Sequence, residues 1–302
     1  MPMKKTTNRK AQLLGTALVM LAAICWSTIG VYVRQLTEAG LRTWDIALIR
    51  MTIGLAAMAV YLVPFHPERL RVRLKDLWIF AGAGILSLLC MNYCYNETVK
   101  AASLAVAGTL LYTAPTFVML MSLWFFREKM TVRKGIALVL AFVGCALVSG
   151  IVQGQLVLTP RAFLIGLGSG FSYALYSIFS RAALDRGYDS WTITFYSFVF
   201  CVLGALLPAR PAVIVQSAAA APALLVPMVL LGIVTGFLAY LLYTKGLTAL
   251  EPGRASIIAS LELVAGAVVG VIVYREHLGA DVCAGIAVLL FAVALLSVEK
   301  KK

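Results

Sequence analysis

Residues 125–130 read FFREKM, and residues 273–278 read VYREHL. Both place an aromatic residue directly before Arg-Glu, and they stand 148 residues apart. The first is followed by Lys129, Arg133 and Lys134, the second by His277 and Asp281. One pattern in two electrical settings is what a duplicated segment looks like when its copies end on opposite sides of a membrane.

The composition agrees with a membrane chain. Of 302 residues, 62% are hydrophobic and only 13% charged, far more apolar than soluble domains. Residues 11–33 carry no charge, and at about 1.5 Å per residue they span a hydrocarbon core of about 30 Å. A signal peptide would be shorter and would not be followed by many similar runs. The net charge of +13 sits in short clusters between apolar runs, so it reads as topology and excludes a nucleic-acid partner. All six cysteines lie inside apolar stretches, and the histidines, His66 and His277, lie in predicted loops. No disulfide framework, metal site or cofactor is expected.

Breaks at charged or Pro-rich segments leave apolar runs near 11–33, 44–63, 77–96, 103–125 and 135–152, then near 162–180, 191–207, 223–244, 255–274 and 282–298. The runs are long and apolar all round, which indicates helices rather than a barrel. The expected fold is an all-α integral membrane protein of ten transmembrane helices in two inverted five-helix repeats. Residues 1–10 form a cytoplasmic tail, 11–152 the first repeat, 153–161 a connecting loop, 162–298 the second repeat and 299–302 a basic cytoplasmic tail. With both termini cytoplasmic, nineteen Lys and Arg residues fall inside and six outside, as the positive-inside bias requires.

A shift of 148 aligns Tyr95 with Tyr243, Arg127 with Arg275 and Glu128 with Glu276; a shift of 147 aligns Arg34 with Arg181, Gly40 with Gly187 and Trp44 with Trp191. An odd number of spans per half turns one half over relative to the other. Such inverted repeats allow a midplane site to open to alternate sides.

These features resemble the EamA-type transporters of the drug/metabolite transporter superfamily. The resemblance covers residues 14–298 and rests on the early Arg in ALIRMTIG, on YTAPTFVMLMSLWFFREKMT and on IIASLELVAGAVVGVIVYREHLG. It implies carriage of amino acids, amines or other small metabolites, export rather than import, and a bacterial cytoplasmic membrane. One departure is Leu263, where family members often place Pro after a Leu-Glu pair; a hinge there should be absent or carried by glycines.

Glu262 is the leading site candidate, being the sole charge between Ala255 and Tyr274. An ionised acid at mid-helix in lipid costs about 2.5–3.5 kcal/mol, so it must face a cavity or a partner. It could couple protons or bind an ammonium group, or be a structural acid paired with a helix end or Arg50. Arg50 itself could hold a substrate carboxylate; its ordinary reading is to snorkel outward or pair with Asp45 or another acid. Its counterpart across the repeat is Ser197. Trp26 and Tyr173 coincide under the 147 shift near mid-span and, with Tyr112, Tyr176 and Tyr240, are candidates to contact substrate. Tyr95, Tyr243, Trp44 and Trp191 lie near span ends and read as interface anchors. Asn92 either joins helices or lines a wet path. Pro115 cannot donate to the Leu111 carbonyl and is the hinge candidate. Gly232 with Gly236, and Gly266 with Gly270, have the spacing of close helix contacts.

No phosphate loop, soluble domain or metal cluster is present in the sequence, so ATP-driven transport is not expected. An enzyme would need several acids or histidines at one depth, and only Glu262 is deep. The expectation is a secondary carrier of a small polar metabolite, most naturally an amino acid or amine, with Glu262 as the proton-coupling residue. The rivals are a lipophilic-cation exporter and a lipid flippase or scramblase. Two halves in one chain make a monomer sufficient, and a dimer is allowed.

Overall fold

The computed structural model describes residues 9–102, 104–148, 159–275 and 279–297, and these are helical throughout apart from their connections. In chain order the helices are α1 (Arg9–Glu38), α2 (Thr43–Phe65), α3 (Leu74–Ala101), α4 (Val106–Phe125), α5 (Val132–Val148), α6 (Pro160–Asp185), α7 (Ser190–Ala205), α8 (Pro211–Ala220), α9 (Pro222–Gly246), α10 (Pro252–Tyr274) and α11 (Ala280–Ser297). Seven of them, α1 to α4, α6, α9 and α10, are long and apolar enough to cross a membrane. Helices α5, α7, α8 and α11 are shorter. The chain is a multi-pass membrane protein. Short α8 was passed over in counting spans; its Val213, Ile214 and Ala218 pack beside Leu36, Leu41 and Met228. Glu276 and His277 of the second motif lie outside the described residues.

The duplication is written into the backbone. Helices α1 and α6 both end on a left-handed glycine, Gly40 (φ 84°) and Gly187 (φ 87°). In each the next residue closes the same wide turn: Leu41 N–H donates to Leu36 O at 3.1 Å, and Tyr188 N–H to Ala183 O at 3.2 Å. Glycine adopts this conformation without steric cost. Arg127 (φ 50°) and Arg275 (φ 55°) repeat the device at the ends of α4 and α10, although their side chains make it unfavourable by about 1–2 kcal/mol. The recurring Arg-Glu motif is therefore a matched pair of helix stops.

Helices α3 and α9 share a second device, a π-helical stretch at Gly82–Leu89 and at Leu231–Leu238. Each stretch lays glycines against a helix of the other half, α3 on α7 and α9 on α2. A Cβ on Gly84 would come within 2.5 Å of Ser197 O, and one on Gly232 within 2.4 Å of Ile53 Cβ. Helices α5 and α11 form the third exchange: a Cβ on Gly144 would stand 3.0 Å from Gly285 O, and one on Gly285 2.9 Å from Gly144 O. In lipid, close packing replaces the hydrophobic effect as the force joining helices, and small residues make it available. Gly232 and Gly236 meet α2 as their spacing suggests, but Gly266 faces open space. Among the described residues, the second half-helix of α10 has no close neighbour on that face.

Substituting Gly84→Val should lower stability by about 1–3 kcal/mol through overpacking. Gly266→Ala, with nothing within 4 Å of the new Cβ, should hold or raise it. Unfolding midpoints in detergent check this, and equal losses at both positions would refute the assigned contacts.

Candidate functional site

Three helices are interrupted near their middles. In α1 the break is at Thr28, whose Oγ1 donates to Cys25 O at 2.8 Å, with Ser27 Oγ donating to Ile24 O at 2.7 Å. In α4 it falls at Tyr112 and Thr113, before Pro115, which takes the second position of the half-helix Ala114–Phe125. Thr113 Oγ1 donates to Leu110 O at 2.6 Å, and α6 fits against the break because Gly170 has no side chain there. In α10 it falls at Ser260, the position matching Tyr112, between half-helices Pro252–Ala259 and Leu261–Tyr274. This corrects the expectation drawn from Leu263. The second half is broken without a proline and without glycine, its turn held by Ser256 Oγ donating to Gly253 O at 3.0 Å and Ser260 Oγ to Ser256 O at 3.4 Å.

The breaks in α4 and α10 meet. Tyr112 OH donates to Glu262 Oε1. Glu262 occupies the first turn of Leu261–Tyr274, where the positive end of the half-helix favours a carboxylate. Around this bond a cavity is lined by Tyr112, Pro115, Tyr173, Ser177, Tyr243 and Ser260, with about 10 Å³ of free volume. That holds one water at most. Tyr173 and Tyr243 of this lining belong to an aromatic cluster: Trp26 packs at 6.5 Å from Tyr173, 5.1 Å from Tyr240 and 5.5 Å from Tyr243, with Tyr176 at 5.0 Å from Tyr240. Hydroxyl pairs fix two of the tyrosines, Tyr176 with Thr244 at 2.9 Å and Tyr243 with Ser177 at 2.7 Å.

Of the candidate residues, Trp26, Tyr112, Tyr173, Tyr176, Tyr240, Glu262 and Pro115 come together here. Asn92 does not: its Nδ2 donates to Leu88 O at 2.7 Å within α3. Tyr243 is no interface anchor but a buried wall of the cavity, and Tyr95 is close enough to feel the charge of Glu262. Arg50 neither snorkels nor pairs with Asp45. A residue five positions along a helix lies about 140° round, and Asp45 is occupied by Arg210 and by the Arg42 N–H. Arg50 is 8% exposed, its Nε and Nη2 have no hydrogen-bond partner, and its guanidinium stands 6.0 Å from the centre of the Tyr240 ring. Each buried donor left unmade costs about 1–3 kcal/mol, more when charged. Trp26 Nε1 is likewise buried and unpartnered.

The two ends of the site differ. At the end holding the start of α10, Pro252–Ala259 packs on Ala114–Phe125, with Gly253 against Met119. There Lys134 Nζ joins Glu251 at 2.5 Å and Glu128 at 3.6 Å. At the other end the half-helices Leu104–Leu111 and Leu261–Tyr274 are not a closely packed pair among the described residues.

The sequence profile of the EamA-like transporter family matches residues 13–150 and again residues 160–298. The chain belongs to that family. It is thus a member of the drug/metabolite transporter superfamily and a secondary transporter rather than an enzyme. An uncharacterized transporter of Archaeoglobus fulgidus is 27% identical over 298 residues, covering 90% of this chain and 94% of its own length. The uncharacterized transporter YwfM of Bacillus subtilis is 24% identical over 286 residues, 94% of either chain. A crystal structure at 17% identity superposes with a TM-score of 0.74 over 95% of this chain and 96% of that one, which shows the shared fold.

Burial and the neighbouring Glu251 push the Glu128 carboxyl above its ordinary range, against the pull of Lys134 and Arg181. If this end parts and exposes Glu128, a raised value means that closing it takes up protons. The closed form is favoured at low pH and loses that advantage as pH rises through the raised value. Glu128→Gln should hold the end closed and remove the dependence. Distances between spin labels at exposed Lys129 and Thr248 check this; an unchanged pH response in the variant would refute it.

Proposed function

We propose that the chain is a ten-span carrier of two inverted five-helix halves, both termini cytoplasmic, that moves an amino acid or related amine outward across a bacterial cytoplasmic membrane by alternating access. The observation that carries the reading is the Tyr112–Glu262 bond, which ties together two helix breaks at matching places in the repeat. A bond across paired breaks can form in one state and part in another, and broken helices at mid-depth are where carriers present backbone and side-chain groups to substrate. The count of basic residues puts the Lys134 end in the cytoplasm. The state described is then closed inward by helix packing, with the outer half-helices not closely packed.

Glu262 is the group that exchanges a proton for substrate in this scheme. It is the one acid in the aromatic cluster, and Tyr112 OH is the hydroxyl that holds it when no substrate is bound. Ten spans supply both halves, so one chain is a sufficient unit.

The purified protein should gain thermal stability from an amino acid or amine, by about 2.7 kcal/mol at a hundredfold excess over Kd. In proteoliposomes, Glu262→Gln should abolish accumulation driven by a pH gradient, and Tyr112→Phe should weaken it. Stabilisation by bulky lipophilic cations alone would replace the amino-acid reading with a multidrug one. Undiminished gradient-driven transport by Glu262→Gln would remove the proton role.

A further inference from the structure

We propose that Arg50 and Trp26 form a carboxylate subsite, so that the carried molecule bears an acid group that lies against Tyr240 while its other end faces Tyr112 and Glu262. The inference rests on the reading of the chain as an amino-acid or amine carrier and narrows it. Two side chains with buried donor nitrogens flank the Tyr240 ring: Arg50, with Nε and Nη2, whose guanidinium is 6.0 Å from the ring centre, and Trp26, with Nε1, whose ring is 5.1 Å from the same ring. All three are donors and none has a partner.

No group among the described residues hydrogen-bonds to these atoms. The aromatic face of Tyr240, 6.0 Å from the guanidinium, is the contact that the structure gives Arg50. Glu262 is the opposite charge that acts on Arg50, yet no ion pair joins them among the described residues, and its Oε1 is engaged by Tyr112. Asp45, the acid closest in sequence, is committed to Arg210. A buried guanidinium with no ion-pair partner among the described residues is an arrangement that a ligand completes. Its planar fork matches the two oxygens of a carboxylate, and the indole N–H adds a third donor from the side.

Access follows from the same packing. Trp26 rests on Tyr173 and Tyr243, and both of those rings line the cavity beside Glu262. Parting these rings joins the cavity to the donors without breaking any bond of Arg50. An ammonium group has only donors to offer, so it belongs at Glu262; a molecule carrying both groups spans the site. A free inorganic anion shares the carboxylate's chemistry and is separated from it by experiment.

The test uses the full-length protein in detergent and two matched series: leucine, leucinamide and isoamylamine, and phenylalanine, phenylalaninamide and phenethylamine. Sodium chloride and sodium phosphate are added alone as separate arms. In the wild type the acid of at least one series should bind about 10- to 100-fold more tightly than its amide. Arg50→Gln should lower the acid to the level of the amide and leave amide and amine affinities unchanged. Trp26→Phe, which keeps a ring and loses the N–H, should give part of the same loss. If Arg50→Gln does not fold, the wild-type series and Trp26→Phe decide.

Equal binding of acid and amide in the wild type, or equal weakening of acid and amine by Arg50→Gln, overturns the subsite and leaves the carrier reading standing. Stabilisation by chloride or phosphate that needs Arg50, with no preference for the acids, makes it an inorganic-anion site and also overturns the proposal. Binding by neither series overturns both the subsite and the amino-acid reading.

Discussion

Hydrocarbon offers a peptide group nothing to bond to, so every interruption of a membrane helix must be satisfied inside the protein. The breaks in α1, α4 and α10 obey this through hydroxyls that turn back on their own helices: Thr28 on Cys25, Thr113 on Leu110, Ser256 on Gly253. With the local carbonyls capped, the break regions need no lipid-facing partner and can turn toward one another. The Tyr112–Glu262 bond is the result. Moving that contact away from mid-helix would require backbone breaks elsewhere and a new set of caps.

The repeat supplies the scaffold, and departures from it supply the chemistry. Helix stops, π-helical stretches and glycine contacts recur in both halves at nearly constant spacing. The groups that differ across the repeat are those at the site: Tyr112 faces Ser260 in the alignment, Ala114 faces Glu262, Pro115 faces Leu263, and Arg50 faces Ser197. Ser197 spends its hydroxyl on Ile193 O, an ordinary intrahelical bond. Paired structural devices keep two lobes of similar shape, which alternating states require. Unpaired polar groups give one asymmetric molecule a unique orientation between the lobes.

Much of this was legible in the sequence. The left-handed stops at Gly40, Gly187, Arg127 and Arg275 sit where the internal alignment placed matching residues, because a backbone device survives divergence when the residues around it must still end a helix. Glu262 and Tyr112 were legible because an acid or a proline neighbour in an apolar span is conspicuous. Tyr243 was read as an interface anchor because it lies near the end of its apolar run, and the structure buries it in the wall of the cavity. The break at Ser260 was missed because serine hydroxyls carry it where a proline or glycine was sought. The pairing of Arg50 with Asp45 fails because that acid is taken by Arg210, 165 positions from it in the chain, a long-range fact that no local window contains.

The closed end raises a question of balance. Two carboxylates, Glu128 and Glu251, share Lys134, and Arg181 lies near enough to act on Glu128 while it also pairs with Asp185 at 3.1 Å. Glu251 is 35% exposed and its pair is screened, and ion pairs of this kind contribute about 0–1 kcal/mol. The closure must therefore come mainly from the fit of α10 on α4 at Gly253 and Met119. A contact of one small helix surface on another is stabilising by little more than its dispersion energy, because in lipid no hydrophobic gain is added. That is what a carrier needs. If the two states differed by more than a few kcal/mol, the minor one would be too rare to turn over, and no ligand could redress the gap except by an equally large difference in affinity.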